Sequence, residues 1–188
     1  NIEVFRFDEA AKNAYQFVWH SYCDWYLEFL KPIFNSKNKS DIKEARAFSS
    51  FMMANILKIL HPFIPFFSEA VWSMNKFKSI FKNHLISSEW PNFKKSTKFN
   101  KNQKDINDLI EIISNIRSTK AELKITPKLF CDISFVDKSK KLKNLINKNL
   151  NLVKQVGRVN EIVKAQANDK NSIDILVLRE KISLGFNE

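Results

Sequence analysis

Residues 8–32 read DEAAKNAYQFVWHSYCDWYLEFLKP, and their spacing decides the first half of the fold. Ala11, Tyr15, Val18, Tyr22, Trp25 and Phe29 recur at steps of three and four, which is one face of a helix. Trp19, Tyr26, Leu30 and Ile33 lie on adjoining faces. An apolar arc this wide belongs to a helix packed on more than one side, so Trp19 and Trp25 are expected in the core. Asp8 is expected to cap the helix start. Pro32 is expected to end it, because proline disfavours helix at the residue before it.

Working outward, residues 35–40 are polar and read as a loop. A second helix follows from Ser40 or Asp41, with Ala45, Phe48, Met52, Ile56 and Ile59 or Leu60 as its buried stripe. His61-Pro62-Phe63-Ile64-Pro65 breaks it, since two prolines within four residues cannot continue a regular helix. Pro65 suits the first turn of a short third helix through Glu69 and Trp72. Residues 85–93 are expected to be extended, and the lysine-rich stretch 94–104, which has no acid, reads as a linker. A fourth helix over about 103–124 carries Ile106, Ile110, Ile113, Arg117, Lys120 and Lys124 on one face, which turns from apolar to basic along its length. Beyond Pro127 the pattern changes to a strand over 129–136, a helix over 138–155, and strands over 159–163 and 173–178. The expected fold is mainly α: an antiparallel helical bundle over 1–125, with a small α+β subdomain over 126–188 packed on it.

The composition narrows the function classes. At 44% hydrophobic and 27% charged residues, with two glycines and five prolines, the chain is globular rather than disordered. No apolar run approaches the ~18 residues a membrane span needs, so no membrane partner is expected. Two glycines exclude a Rossmann fingerprint or a P-loop. His20, His61 and His84 have no metal-like spacing to one another or to Cys23 and Cys131, so no metal site is expected. Both cysteines read as small buried residues in a reducing compartment rather than as nucleophiles. Asp24 and Glu28, one helical turn apart, read as a solvated face with Lys31 nearby, and no catalytic residue is expected.

The net charge is +11, from 31 basic and 20 acidic residues, which suits RNA or DNA. Of the basic residues 26 are Lys and five are Arg, and a lysine-rich, Asn- and Ile-rich composition also follows from an AT-rich genome. Charge alone therefore leaves the partner open. The chain does not begin with Met, which is consistent with a piece of something longer.

Three stretches together carry a resemblance. Trp19-His20-Ser21-Tyr22-Cys23-Asp24-Trp25-Tyr26-Leu27-Glu28-Phe29-Leu30-Lys31-Pro32 resembles the run W-x-x-[FY]-C-D-W-Y-[LI]-E-x-x-K-P of the valyl-tRNA synthetases, a class I aminoacyl-tRNA synthetase family. Residues 57–72, Leu57 through His61-Pro62 and Pro65 to Glu69 and Trp72, resemble the same family's second run. That run is shared more loosely with isoleucyl, leucyl and methionyl enzymes. Trp90-Pro91 with Ile116-Arg117-Ser118-Thr119-Lys120-Ala121-Glu122 is a weaker third match. The resemblance covers residues 1 to about 136. It implies the anticodon-binding region of a cytoplasmic ligase that attaches valine to its tRNA using ATP and Mg. The implied fragment holds no cofactor itself, binds valine-accepting tRNA, and joins an upstream catalytic domain of the same parent chain. The alternatives are a related class I synthetase, or a basic helical interaction module outside the synthetases.

A single-stranded anticodon loop is read by stacking on aromatic or guanidinium planes and by contacts to base edges, with lysines on the phosphates. Charged residues at the end of an apolar stripe are the best candidates. Arg117 and Lys120 lead and Lys124 follows, while Arg46 and Lys31 are more readily accounted for by helix-surface ion pairs.

Overall fold

The structure is a computed structural model and describes residues 2–92, 100–135, 140–164 and 172–186. The chain divides into two compact units, Asn1–Lys95 and Ser96–Glu188. The division expected at 125/126 therefore falls at 95/96 instead. The physical reason is the fourth helix, whose apolar face packs within the second unit.

In the first unit, α1 (Phe7–Gln16) runs into a π-helical segment (Phe17–Tyr26) and then α2 (Leu27–Phe34). Asp8 is not the cap: the helix starts one residue earlier, and Asp8 and Glu9 lie in its first turn, paired with Arg6 at 3.3 and 2.6 Å. Carboxylates there complement the positive end of the helix dipole. Pro32 lies inside α2 rather than after it. It donates no hydrogen bond, yet the helix lasts to Phe34, and Asn35 N–H closes it on Lys31 O at 3.0 Å.

The long helix α3 (Lys39–Leu60) is capped by Asn38, whose side chain accepts from the N–H groups of Ser40 and Asp41. Its buried residues are Ala45, Ala54, Asn55, Ile56 and Leu57, while Phe48 of the expected stripe is exposed. Tyr26 reaches α3 through a hydroxyl contact with Ser49 Oγ at 3.1 Å. The His61–Pro65 break leads into α4 (Pro65–Met74), and α5 (Phe77–Phe81) follows. Leu85–Ser87 is one 3₁₀ turn, not the extended segment expected there. Ala54, Leu57, Trp72, Phe77 and Leu85 form the buried cluster that joins α3, α4, α5 and this turn.

In the second unit, α6 (Asn100–Glu122) is followed by β1 (Cys131–Phe135), α7 (Lys140–Lys148), α8 (Leu150–Gly157), β2 (Val159–Lys164), β3 (Ser172–Val177) and β4 (Glu180–Gly185). The sheet order is β2-β1-β4-β3, with β1 parallel to β2 and antiparallel to β4. β4 also pairs antiparallel with β3, Ile175 opposite Ile182. Leu109, Ile112 and Ile116 of α6, Leu142, Leu145, Ile146 and Val153 of α7 and α8, and Cys131, Ile133, Val159, Val177, Ile182 and Leu184 of the sheet share one core. No described helix is long and apolar enough to cross a membrane.

Candidate nucleic-acid interface

The basic end of α6 does not project freely. Lys120 is only 3% exposed. Its ammonium donates to Leu129 O at 2.9 Å, Arg158 O at 3.0 Å and Gly157 O at 3.4 Å. Gly157 ends α8 and Arg158 follows it, so two of these are carbonyls that a helix end leaves without intrahelical donors. Arg117 donates from Nη2 to a third carbonyl of this end, Val156 O, at 2.9 Å. A cation at a helix C-terminus meets the negative end of the dipole. Burial pushes the Lys120 pKa down, partly offset by Cys131, with Arg158 and Arg117 lowering it further.

This corrects the expectation for Lys120. Its charge holds the α8 terminus and Leu129, at the end of the 126–129 turn, inside the fold, and no donor is left for a ligand. The apolar face of α6 is centred on Leu109, Ile112, Ile113 and Ile116, about one residue round from the stripe expected, and Lys120 continues that face inward. Arg117 and Lys124 fall on the exposed side. The Lys124 side chain has no hydrogen bond or ion pair among the described residues, while its N–H donates to Ala121 O at 3.0 Å. The side chain of Arg46, exposed on α3, has no such partner either among the described residues. Lys31 is ion-paired with Glu28, the surface pairing that accounts for it without RNA. The structure thus brings Arg117 and Lys120 together at one helix end of the second unit, while Arg46 and Lys31 belong to the first. Lys94, Lys95 and Lys98 lie outside the described residues.

The aromatic residues sort differently from expectation. Trp25 is half-buried against Phe29, with ring centroids 5.8 Å apart. Trp19, expected in the core, is 52% exposed and stacks on Tyr15 at 6.1 Å with planes 7° apart. The wider π-helical turn rotates positions after Gln16 away from the α-helical phase. The buried line becomes Ala14, Tyr22 and Leu30, with Val18 and Tyr26 partly buried between them, and Trp19 leaves it. Sequence reasoning also passed over Arg158 and Phe130. The Arg158 guanidinium lies 5.7 Å from the centroid of the exposed Phe130 ring. The only signal for it was an arginine directly after a helix-ending glycine.

The second family-like run builds architecture. Ser68 Oγ lies 2.9 and 3.0 Å from Ile64 O and Pro65 O and 2.8 Å from His61 Nδ1, so one hydroxyl ties the break to the start of α4. Trp72 Nε1 donates to Asn83 O at 3.1 Å. Glu69 accepts from Leu85 N–H at 3.1 Å and pairs with His84 Nδ1 at 3.1 Å. His61, Glu69 and His84 border an open, mostly apolar hollow of about 450 Å³. Each already has a partner, and no group of three His, Cys, Asp or Glu among the described residues is placed to hold a metal ion. Burial of Cys131 pushes its thiol up, with Lys120 pulling partly the other way, which makes it a poor nucleophile.

Glu69 yields a pH prediction. Burial raises its pKa, but the contacts with His84 and the backbone N–H groups of Leu85 and Ile86 outweigh that, and the net shift is downward. A carboxylate with a depressed folded-state pKa contributes stability above its unfolded pKa and loses it as pH falls through the folded value. The first unit should therefore lose urea resistance on acidification below the ordinary glutamate range, and Glu69→Gln should flatten that acid limb. An unchanged acid limb in the variant would exclude Glu69 as its source.

Residues 1–136 match the family model described as the anticodon-binding domain of tRNA ligase. The chain belongs to this family. The chain is 40% identical over 190 residues to a valine–tRNA ligase of Pelagibacter ubique, covering 100% of this chain and 21% of that protein. It is 33% identical over 177 residues to a valine–tRNA ligase of Brucella suis, covering 94% and 19%. A valine–tRNA ligase of Caulobacter vibrioides is 31% identical over 188 residues, covering 100% and 21%. The chain spans about a fifth of the length of the curated relatives it matches.

Proposed function

We propose that this anticodon-binding domain holds valine-accepting tRNA for a parent valine–tRNA ligase, whose ATP- and Mg-dependent attachment of valine occurs outside residues 1–188. The observation that carries the reading is the match to valine–tRNA ligases over nearly the whole chain, beyond the 1–136 span of the family domain. The residues support a grip without chemistry. Gly157 ends a helix and Gly185 lies in a strand, so neither opens a phosphate-cradling loop. No step through ATP or Mg is therefore assigned to this chain. Arg46, Lys124 and the exposed part of Arg117 remain as phosphate or base contacts on their respective units, and Lys120 acts indirectly by fixing the end of α8. We place the work in the cytoplasm with the translation machinery, with which the free thiols Cys23 and Cys131 are compatible.

The test is equilibrium binding of the chain to valine-accepting tRNA, isoleucine-accepting tRNA and duplex DNA across a salt series. Valine-accepting tRNA should bind at least about tenfold tighter than the duplex, with affinity falling as salt rises. Equal affinity for duplex DNA would reduce the function to generic electrostatics. A preference for isoleucine-accepting tRNA would move the chain to the related synthetase.

A further inference from the structure

The end of α8 carries a feature that lies outside the matched family domain. Gly157 is the glycine of this helix end, yet Arg158 takes the left-handed backbone, at φ 55°. Lys124, just past α6, does the same at φ 56°. An L-residue is disfavoured there, and glycine would relieve the strain. The Arg158 main chain is fixed from two sides: its carbonyl accepts from Lys120 Nζ at 3.0 Å and from Cys131 N–H at 3.1 Å. The same ammonium holds Leu129 O, so Phe130 and Arg158 are set against each other by backbone contacts. The guanidinium then rests 5.7 Å from the Phe130 centroid with no hydrogen bond or ion pair among the described residues. The side-chain ammonium groups of Lys124 and Lys128, on the exposed segment between α6 and Phe130, have none either among the described residues. Residues 96–188 hold 18 basic and 11 acidic residues, so the surroundings favour an anion.

We infer that Arg158 and Phe130 form a stacking site for an unpaired RNA base, with Lys124 and Lys128 taking the adjoining phosphates. A guanidinium plane backed by an aromatic ring presents a flat cationic face to a base and N–H edges to phosphate oxygens. The choice of RNA over an acidic protein rests on the proposed function. The site itself is new to it, since Arg158 lies beyond residue 136, where the family match ends.

The experiment measures valine-accepting tRNA binding by the full chain and its variants across a salt series. Arg158→Ala should weaken binding about tenfold, the scale of one lost base-stacking contact. Arg158→Lys should keep the salt slope while recovering little of the affinity, because a lysine keeps the charge and lacks the plane. Lys128→Ala should mainly lower the salt slope, by about one. If Arg158→Ala disturbs folding, Arg158→Gly supplies the same loss on a residue that accepts the left-handed backbone. Arg158→Ala and Arg158→Gly binding as tightly as the parent chain would overturn this site and leave the anticodon-binding function standing. Failure of the unmodified chain to prefer tRNA would overturn both.

Discussion

Trp72→Ala should cost about 3–5 kcal/mol, the range for removing a fully buried aromatic residue from a core. Trp72 has no exposed surface and lies at the centre of the cluster of Ala54, Leu57, Phe77 and Leu85. Its ring meets Phe77 at 5.1 Å and stacks on Phe81 at 5.2 Å. Its indole N–H is the donor to Asn83 O, so alanine leaves a cavity and a carbonyl without that donor. Small units have few such clusters to share the loss, and the total stability of a domain is about 5–15 kcal/mol. Urea denaturation followed by helical circular dichroism measures it. Trp72→Phe, which keeps most of the volume and loses the donor, should cost about 1–2 kcal/mol. A loss under about 1 kcal/mol for the alanine variant would mean that the α3–α4–α5 junction is held by something other than this ring.

Lys120→Met should destabilise the second unit by about 2–4 kcal/mol, although it replaces a buried charge with an apolar side chain of similar length. Removing an unpaired buried charge would by itself be favourable. Here the ammonium is the donor to Leu129, Gly157 and Arg158 carbonyls, and methionine offers them nothing. The pH dependence separates the two effects. Burial lowers the Lys120 pKa in the folded state, so between the folded and unfolded values the unfolded chain binds more protons. Stability therefore rises with pH across that window, and the penalty for the buried charge is fully present below it. Lys120→Met should remove this alkaline rise while lowering stability at neutral pH. A variant as stable as the parent at neutral pH would show that water, not Lys120, satisfies those carbonyls.

The long helices were legible because their apolar spacing is regular and their ends carry ordinary signals. Asn38 caps α3, and the His61–Pro65 break stops it. The π-helical segment was not legible, since 10 residues of wider turn leave no local mark in composition, and their phase shift turned Trp19 outward. One helix expected over 138–155 is two, because Asn149 interrupts it with φ −117°. β4 was missed altogether. Its hairpin with β3 turns through Leu178 and Arg179, both at positive φ, where Asn-Gly or Asp-Gly would have announced the turn. Of the candidate site, the cluster of cations near the end of α6 was visible in the sequence, but their division of labour was not. Whether a lysine at the end of a stripe points out or in depends on the 126–129 turn and the α8 terminus, which lie elsewhere in the chain.

The position of β4 has a consequence for synthesis on the ribosome. It is the last of the described strands, yet it lies between β1 and β3 and pairs with both. The first unit can complete its local contacts as it emerges, whereas the second cannot close its sheet until residues 180–185 arrive. Until then the edge of β1 that β4 covers is left unpaired. A ribosome paused before Glu180 would carry a nascent chain with a finished head and an unzipped tail, and protease sensitivity of stalled chains of increasing length should drop sharply as that strand clears the exit tunnel.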